Sequence, residues 1–269
     1  MSVLSFPAFE ARARHAEHVM GTVVSFDVPA AAREDGSLAS AVAWLHWVDR
    51  VFSPYRPDSD VSLLARAEVT VDACAPEVAE VLAACAFVRD LSGGYFTSSP
   101  GGQFDPCGYV KGWAVERAAS LLTRAGSDRH LVNGGGDVQC VGGRRISGGY
   151  DTEYAIEPWR VGVADPFRPG ALALVVAARD CAVATSGTAE RGAHIINPHT
   201  GRPAAGLASV TVAGPSLALA DAYATAAFAM GPDLARDWTE SLEDYEAFAI
   251  TSSGETWRTT GFTRYLSPD

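Results

Sequence analysis

The feature that most constrains the fold is a strongly apolar helix near the end of the chain. Residues 216–230 read SLALADAYATAAFAM, and the Gly231-Pro232 pair that follows ends a helix. Such a helix belongs inside the protein, because every side of it is apolar. Asp221 and Thr225 lie four residues apart within it, so their side-chain oxygens face the same way.

A buried aspartate on this helix needs a partner, because burying an unpaired carboxylate costs several kcal/mol. A backbone amide or a basic side chain would satisfy Asp221. A hard cation would do so as well, since carboxylate, hydroxyl and carbonyl oxygens are the ligands that Mg²⁺ prefers. The spacing of Asp221 and Thr225 leaves these alternatives open.

The order of the predicted elements favours an α+β fold. Strands and helices are interspersed and often follow one another as hairpins, which favours largely antiparallel sheets over a doubly wound parallel sheet. Valine-rich alternation predicts a strand over residues 18–28, interrupted at Gly21. Residues 145–158 show no clear period and are predicted to form an extended hairpin or a mobile insertion. Long helices are predicted over residues 37–52, 76–91 and 108–126.

Composition excludes several classes of protein. The net charge of −11 argues against a nucleic-acid partner, which requires a basic face. The chain contains no uninterrupted run of about eighteen apolar residues, the length that a membrane-spanning helix requires. The N-terminal segment shows neither a signal peptide nor a lipoprotein anchor. The five cysteines form no CxxC pair, which disfavours a disulfide framework or a thiolate zinc site and predicts a cytoplasmic protein.

The stretch DPCGYVKG, residues 105–112, places an acid, a turn and a lysine at the start of a predicted helix. It is not a phosphate-binding P-loop, because that motif has a glycine directly before the lysine and Val110 stands before Lys111 here. The NGGGD stretch, residues 133–137, is explained as well by a tight turn as by a functional role. Ser186 lies in no GxSxG motif, which disfavours a serine hydrolase.

Taken together and in this order, the polar and glycine-rich stretches resemble the ApbE family of magnesium-dependent FAD:protein FMN transferases. The resemblance runs from about residue 18 to about residue 231. It implies an ApbE-like fold of two closely associated lobes, forming a single domain over residues 1–269. The matching stretches are MGTVVSFDV, FSPYRPDSDVSLL, SGGYF, FDPCGYVKGWAVERAASLL, LVNGGGDV, WRVGVADP, ATSG, HIINPHTG and SVTVAG followed by LADAYATAAFAMG.

The resemblance also implies a role for individual residues. Magnesium would be bound by the Gly108 carbonyl, Asp221 and Thr225. Lys111 would add a second positive charge beside the FAD pyrophosphate, and His194 would accept the proton of the acceptor hydroxyl. The residues implied to contact FAD are Met20, Tyr55, Tyr95, Phe96, Thr97, Asp105, Lys111, Ser186, Gly187, His194 and Ile196.

Two positions depart from the family pattern. Thr97 stands where relatives carry an acid, in a shortened connection after Tyr95-Phe96, and Asn197 replaces the aspartate of the usual HIIDP motif. The resemblance as a whole implies that the protein transfers FMN from FAD to a threonine or serine of an acceptor flavoprotein. FAD pyrophosphatase activity, or FAD binding without turnover, are the alternatives.

Overall fold

The computed structural model describes residues 11–147, 154–188, 192 and 195–266. Seven α-helices are present in this part of the chain: α1 Ala31–Glu34, α2 Ser37–Phe52, α3 Asp60–Ala65, α4 Pro76–Leu91, α5 Cys107–Arg124, α6 Leu217–Met230 and α7 Pro232–Glu240. The strands are β1 Arg12–Val19, β2 Thr22–Pro29, β3 His130–Gly134, β4 Asp137–Val141, β5 Arg144–Ser147, β6 Tyr154–Glu157, β7 Trp159–Ala164, β8 Leu172–Ala178, β9 Cys181–Gly187, β10 Ile196–Asn197, β11 Arg202–Pro203, β12 Leu207–Gly214, β13 Glu246–Thr251 and β14 Thr256–Arg258.

An eight-stranded sheet organises the fold, in the order β1-β2-β3-β4-β9-β12-β13-β14. Every neighbouring pair in it is antiparallel. The strands β5 and β6, β7 and β8, and β10 and β11 form three separate antiparallel pairs. The α+β prediction is confirmed, and the hairpin predicted over residues 145–158 corresponds to β5 and β6, whose connection lies outside the described residues. No described helix has both the length and the apolar character needed to cross a bilayer.

The prediction of a single strand over residues 18–28 is wrong, because the chain reverses direction at Met20 and Gly21. Met20 and Gly21 both have positive φ, 54° and 67°, and they connect β1 to β2 as a two-residue hairpin. Two consecutive left-handed residues produce the tight turn that suits the twist of paired strands. Gly21 therefore marks a turn between two strands rather than an irregularity within one.

The sheet separates two apolar cores, and alternate residues of its strands belong to opposite sides. Ala182 and Ala184 of β9 pack on the side that carries the helices, whereas Cys181 and Val183 pack in the second core. The second core also contains residues of the β7–β8 pair. Small alanines on the helix side let α6 lie close to the sheet, and the Thr225 hydroxyl lies 3.3 Å from that of Ser186 on β9.

Helices α5 and α6 cross at close range, and Gly112 makes this possible. A β-carbon at Gly112 would lie 2.5 Å from the carbonyl oxygen of Leu217 and 2.9 Å from the β-carbon of Asp221. The same pair of helices is joined by Glu116 of α5. Its carboxylate accepts hydrogen bonds from the Ser216 hydroxyl at 2.7 Å and from the Ala218 amide at 2.9 Å, at the start of α6. The crossing brings the beginning of α5 against the middle of α6.

A buried histidine attaches α5 to the sheet. The imidazole of His130, on β3, contacts the Ala119 carbonyl oxygen through Nε2 at 3.0 Å and the Ser127 hydroxyl through Nδ1 at 3.0 Å. A carbonyl oxygen only accepts hydrogen bonds, so Nε2 carries the proton and Nδ1 accepts from Ser127. Burial lowers the pKa of His130 to about 4. This histidine is therefore neutral and structural.

Gly112→Ala tests the helix crossing. Alanine is intrinsically the better helix former by about 1 kcal/mol, so without the crossing this change would stabilise the protein. With it, we expect overpacking to destabilise the protein by about 1–3 kcal/mol. Thermal unfolding followed by circular dichroism measures the difference, and an unchanged or higher midpoint would show that the helices are not closely apposed in solution.

Candidate active site

The start of α5 is fixed by the aspartate that precedes it. The Asp105 carboxylate accepts a hydrogen bond from the Cys107 amide at 2.9 Å, and the Asp105 amide donates to the Ser98 carbonyl oxygen at 2.8 Å. The side chain thus satisfies one of the amides left open at the beginning of a helix. Lys111 follows one turn later, on the side of α5 that faces α6 and the sheet.

The ammonium group of Lys111 lies between two buried carboxylates. Its Nζ is 2.5 Å from Asp137 Oδ2 and 3.5 Å from Asp221 Oδ1. The two aspartate side chains are 1% and 4% exposed, and that of Lys111 is 26% exposed. One cation and two anions therefore meet where α5, α6 and β4 come together. We call these three residues the Lys111 cluster.

Asp137 is the member of this cluster that the sequence did not single out. The turn predicted at NGGGD is present: Gly135 and Gly136 have positive φ, and Asn133 Oδ1 accepts a hydrogen bond from the Gly136 amide at 2.9 Å. Asp137 begins the next strand, and its Oδ1 accepts a hydrogen bond from the Thr185 amide on β9 at 3.0 Å. The available signal was an acid at the first position of the buried strand β4.

Asp221 is held from both sides. Its Oδ2 accepts a hydrogen bond from the Gly112 amide at 3.0 Å. In a regular helix that amide pairs with the carbonyl of Gly108, four residues earlier, so the carboxylate competes with the Gly108 oxygen for it. Burial, together with the charge of Asp137, raises the pKa of Asp221 to about 7, against the opposing effect of Lys111. The sequence left a basic side chain and a backbone amide as possible partners of Asp221, and both are present, as Lys111 and the Gly112 amide.

The three residues predicted to bind metal lie near one another. The Thr225 hydroxyl lies one turn beyond Asp221 and is 3.3 Å from the Ser186 hydroxyl of β9. A β-carbon at Gly108 would lie 3.8 Å from the Thr225 methyl group. Gly108 and Thr225 are therefore neighbours at the start of α5, and Asp221 lies one turn before Thr225 on α6.

This donor set fits a magnesium ion. All three groups are hard oxygen ligands. Asp137 Oδ2 beside them is buried and, apart from its ion pair with Lys111, has no hydrogen-bond partner in the described part of the chain. Once Asp221 is ionised, two buried carboxylates and one ammonium carry a net negative charge that a cation would offset. No group of three His, Cys, Asp or Glu suited to a metal occurs among residues 11–147, 154–188, 192 and 195–266, so this site would depend on mixed oxygen donors.

Comparison with known proteins decides the family. The family model described as "ApbE family" matches residues 20–103 and 97–249. The chain belongs to the ApbE family. It is 36% identical over 172 residues to an FAD:protein FMN transferase of Rhodobacter capsulatus, covering 60% of this chain and 30% of that protein. It is 38% identical over 141 residues to one of Treponema pallidum, covering 49% of this chain and 39% of that protein. The matched region thus spans less than half the length of these relatives.

Solved structures of ApbE proteins share the fold. The flavin transferase ApbE of Vibrio cholerae superimposes with a TM-score of 0.81 at 20% identity, covering 95% of this chain and 99% of that one. The ApbE protein of Thermotoga maritima gives a TM-score of 0.80 at 22% identity, covering 96% of this chain and all of that one (100%). The α+β architecture predicted from the order of the elements is therefore confirmed, and it matches that of ApbE proteins.

The flavin-contacting residues implied by the ApbE resemblance lie in several loops. Phe96 is 1% exposed, and its ring lies 3.3 Å from where a β-carbon of Gly108 would be, so it packs beneath the start of α5. The Thr97 hydroxyl accepts a hydrogen bond from the Ser99 amide at 3.0 Å, which fixes the shortened connection. The Tyr95 ring packs edge-on against the His199 ring, with centroids 4.4 Å apart.

The remaining flavin candidates lie in separate turns and strands. Met20 lies in the β1–β2 turn, next to the NGGGD turn: a β-carbon at Gly135 would be 2.7 Å from the Thr22 hydroxyl. The Tyr55 side chain is 92% exposed. Gly187 ends β9, and Ile196 pairs with Pro203 in the β10–β11 pair. His194, predicted to be the general base, lies outside the described residues.

Asn197, predicted to depart from the ApbE motif, makes hydrogen bonds through both ends of its side-chain amide. Asn197 Nδ2 donates a hydrogen bond to the Ala229 carbonyl oxygen at 3.0 Å, at the end of α6, and Oδ1 accepts one from the His199 amide at 2.9 Å. An aspartate has no N–H to donate to that carbonyl. The His199 ring in turn contacts the Gly93 carbonyl oxygen at 3.1 Å. Asn197 therefore connects α6 to the loop that carries Tyr95.

The raised pKa of Asp221 predicts a specific pH dependence of stability. Between about pH 3.8, its ordinary value, and about 7, the folded protein binds a proton at this group that the unfolded chain releases. The contribution of Asp221 to stability therefore falls as pH rises through this window, by at most about 1.4 kcal/mol per pH unit. Asp221→Asn should remove this contribution.

Urea unfolding at pH 5 to 8 without divalent cations measures this effect as the difference between wild type and Asp221→Asn. The variant should gain stability relative to wild type as pH rises. The exposed Asp128, whose side chain is 70% exposed, provides the control variant Asp128→Asn, which should show no such trend. A difference between wild type and Asp221→Asn that does not change with pH would contradict the raised pKa.

Proposed function

We propose that the protein is a magnesium-dependent FAD:protein FMN transferase, which cleaves FAD to AMP and attaches FMN by a phosphoester bond to a threonine or serine of an acceptor protein. One observation carries the proposal. In a chain of the ApbE family, Lys111 lies between the buried carboxylates Asp137 and Asp221, and Thr225 follows Asp221 by one turn of the same helix. The relatives named above are FAD:protein FMN transferases.

The site suits chemistry on a pyrophosphate. Gly108, Asp221 and Thr225 would hold the magnesium ion, which when bound supplies positive charge to the pyrophosphate oxygens. Lys111, only partly exposed, offers a second positive charge at the same place. Fixed charges in a water-poor site stabilise the charge that develops during phosphoryl transfer without having to reorganise. The surrounding protein holds these groups through hydrogen bonds and helix packing.

The proposed transfer balances in atoms and charge. The acceptor oxygen forms a bond to the FMN phosphorus while the bond from that phosphorus to the bridging oxygen breaks, and AMP leaves with the bridging oxygen. The proton of the acceptor hydroxyl goes to a base, the role we propose for His194 because a neutral imidazole accepts a proton near pH 7. The partner is then a flavoprotein that presents a threonine or serine. The five free cysteines agree with the cytoplasm as the proposed location.

The proposal is tested by incubating the protein with FAD, MgCl₂ and an acceptor protein. AMP is measured by chromatography and the acceptor by intact mass. AMP release that depends on the acceptor, with an acceptor mass increased by FMN, supports transfer. AMP release without an acceptor identifies an FAD pyrophosphatase instead, and saturable FAD binding without AMP identifies a binding protein.

Asp221→Asn tests the metal role. The amide keeps the shape of the side chain and removes its charge, so affinity for magnesium and AMP release should fall together. The concentration of MgCl₂ that gives half-maximal AMP release should rise by about tenfold or more, as expected when a charged ligand is lost. The control Asp128→Asn should behave as wild type. Normal turnover of Asp221→Asn at limiting magnesium would exclude the assignment.

Lys111→Met tests the role of the ammonium group. Methionine preserves much of the side-chain volume but carries no charge, so AMP release should fall by about 10²-fold, the loss typical of one preorganised electrostatic contact. The metal-free variant should also be less stable than wild type, because two buried carboxylates lose their counter-ion. Steady-state kinetics and thermal unfolding measure these effects. Full activity would mean that Lys111 is a structural ion-pair partner.

His194→Ala tests the general base. Transfer should slow by about 10²- to 10⁴-fold, the range for a positioned proton acceptor. FAD affinity should change little, because a base acts mainly in the transition state. The wild-type rate should rise with pH as the imidazole loses its proton and becomes able to accept one. Near-normal transfer with an unchanged pH profile would instead assign His194 to packing against the flavin.

A further inference from the structure

Asp137 has specific contacts but no role in the proposed reaction. It is fully buried, one oxygen accepts a hydrogen bond from the Thr185 amide, and the other forms the close ion pair with Lys111. The bond to Thr185 needs only a neutral acceptor, which an asparagine oxygen would supply as well. A buried negative charge next to another carboxylate is destabilising. The charge of Asp137 therefore calls for an explanation beyond the connection of β4 to β9.

The two oxygens of Asp221 differ in what they contact. Oδ2 accepts the hydrogen bond from the Gly112 amide at 3.0 Å. Oδ1 faces the Lys111 ammonium at 3.5 Å, beyond the usual range for a charge-assisted hydrogen bond of about 2.7–2.9 Å. Oδ1 is therefore the oxygen that remains for a cation, and Lys111 is the group that competes for it.

Asp137 decides the outcome of this competition. Lys111 Nζ lies 2.5 Å from Asp137 Oδ2 and 3.5 Å from Asp221 Oδ1, so it is 1.0 Å closer to Asp137 (3.5 minus 2.5). Without the charge of Asp137, Asp221 would be the remaining carboxylate of the cluster, and the flexible lysine chain would bring the ammonium onto Oδ1. The oxygen needed by a divalent cation would then be occupied.

We propose that Asp137 is a positioning residue: it holds the Lys111 ammonium away from Asp221 Oδ1 and so keeps that oxygen available to the magnesium ion. This inference rests on the proposed function for the identity of the ion. Asp137 acts through Lys111 in this account and contacts neither the metal nor the substrate. Its removal should therefore change the affinity for magnesium, and the size of the change should depend on the presence of Lys111.

The test is a calorimetric titration of the FAD-free protein with MgCl₂, for wild type, Asp137→Asn, Lys111→Met and the double variant. Asp137→Asn should weaken magnesium binding by about tenfold or more, comparable to the loss of a charged interaction. Lys111→Met should bind magnesium more tightly than wild type, because the competing cation is gone. In the Lys111→Met background, Asp137→Asn should have a much smaller effect. Asp128→Asn provides the control and should match wild type.

The magnesium requirement of AMP release is a second measurement, and it would not change if Asp137 had a purely structural role. AMP release by Asp137→Asn should approach the wild-type rate at high MgCl₂ concentration, so that the magnesium requirement changes more than the maximal rate. Equal magnesium affinity of Asp137→Asn and wild type would overturn the inference. An effect of Asp137→Asn that persists undiminished in the Lys111→Met background would also overturn it, because Asp137 would then act on the metal directly.

Failure of this inference can be distinguished from failure of the proposed function. Magnesium binding that responds to both substitutions, without AMP release from FAD, would reject the proposed activity and retain the positioning role. AMP release from FAD, together with a magnesium affinity that does not change on substituting Asp137, would retain the proposed activity and reject the positioning role. If Asp137→Asn does not fold, Lys111→Met alone decides: magnesium affinity no higher than in wild type would reject the competition between Lys111 and the cation.

Discussion

The arrangement of the helices and the central strands depends on one buried interaction, the contact of the Lys111 ammonium with the carboxylates of Asp137 and Asp221. These side chains come from α5, β4 and α6, so the cluster fixes the relative positions of all three elements. Breaking such a buried group by removing one partner typically costs about 3–5 kcal/mol. A protein that needed only stability would be served as well by apolar side chains, and the charges therefore indicate a functional site.

Much of the fold follows from local sequence, whereas the partners of the site residues do not. The helices over residues 37–52 and 76–91, the apolar α6 and the glycine turn before Asp137 were all predictable, because periodicity and turn chemistry are local signals. The hairpin at Met20 was missed because a methionine gives no sign of positive φ. The hydrogen bond from Gly112 to Asp221 joins residues 109 apart in the chain, and no local pattern specifies such a contact.

The two positions predicted to depart from the ApbE motifs, Thr97 and Asn197, lie outside the Lys111 cluster. Asn197 uses its amide to bind the end of α6, and its neighbour His199 packs against Tyr95. A neutral side chain at position 197 thus connects the helix that carries Asp221 to the loop predicted to contact the flavin. The asparagine makes this connection by donating a hydrogen bond, and an aspartate at position 197 would have no N–H with which to make it.

We propose that a divalent cation binds beside the Lys111 cluster. Mn²⁺ can replace Mg²⁺ and gives an anomalous X-ray signal, so its position can be measured directly. The measurement is an anomalous difference map of crystals soaked in FAD and MnCl₂. We predict one peak within the distance of about 2.0–2.6 Å at which oxygen ligands bind hard divalent cations, both from Asp221 Oδ1 and from the Thr225 hydroxyl. A map with FAD bound and the manganese peak elsewhere, or with Lys111 still lying between the two carboxylates and no peak beside them, would contradict the account.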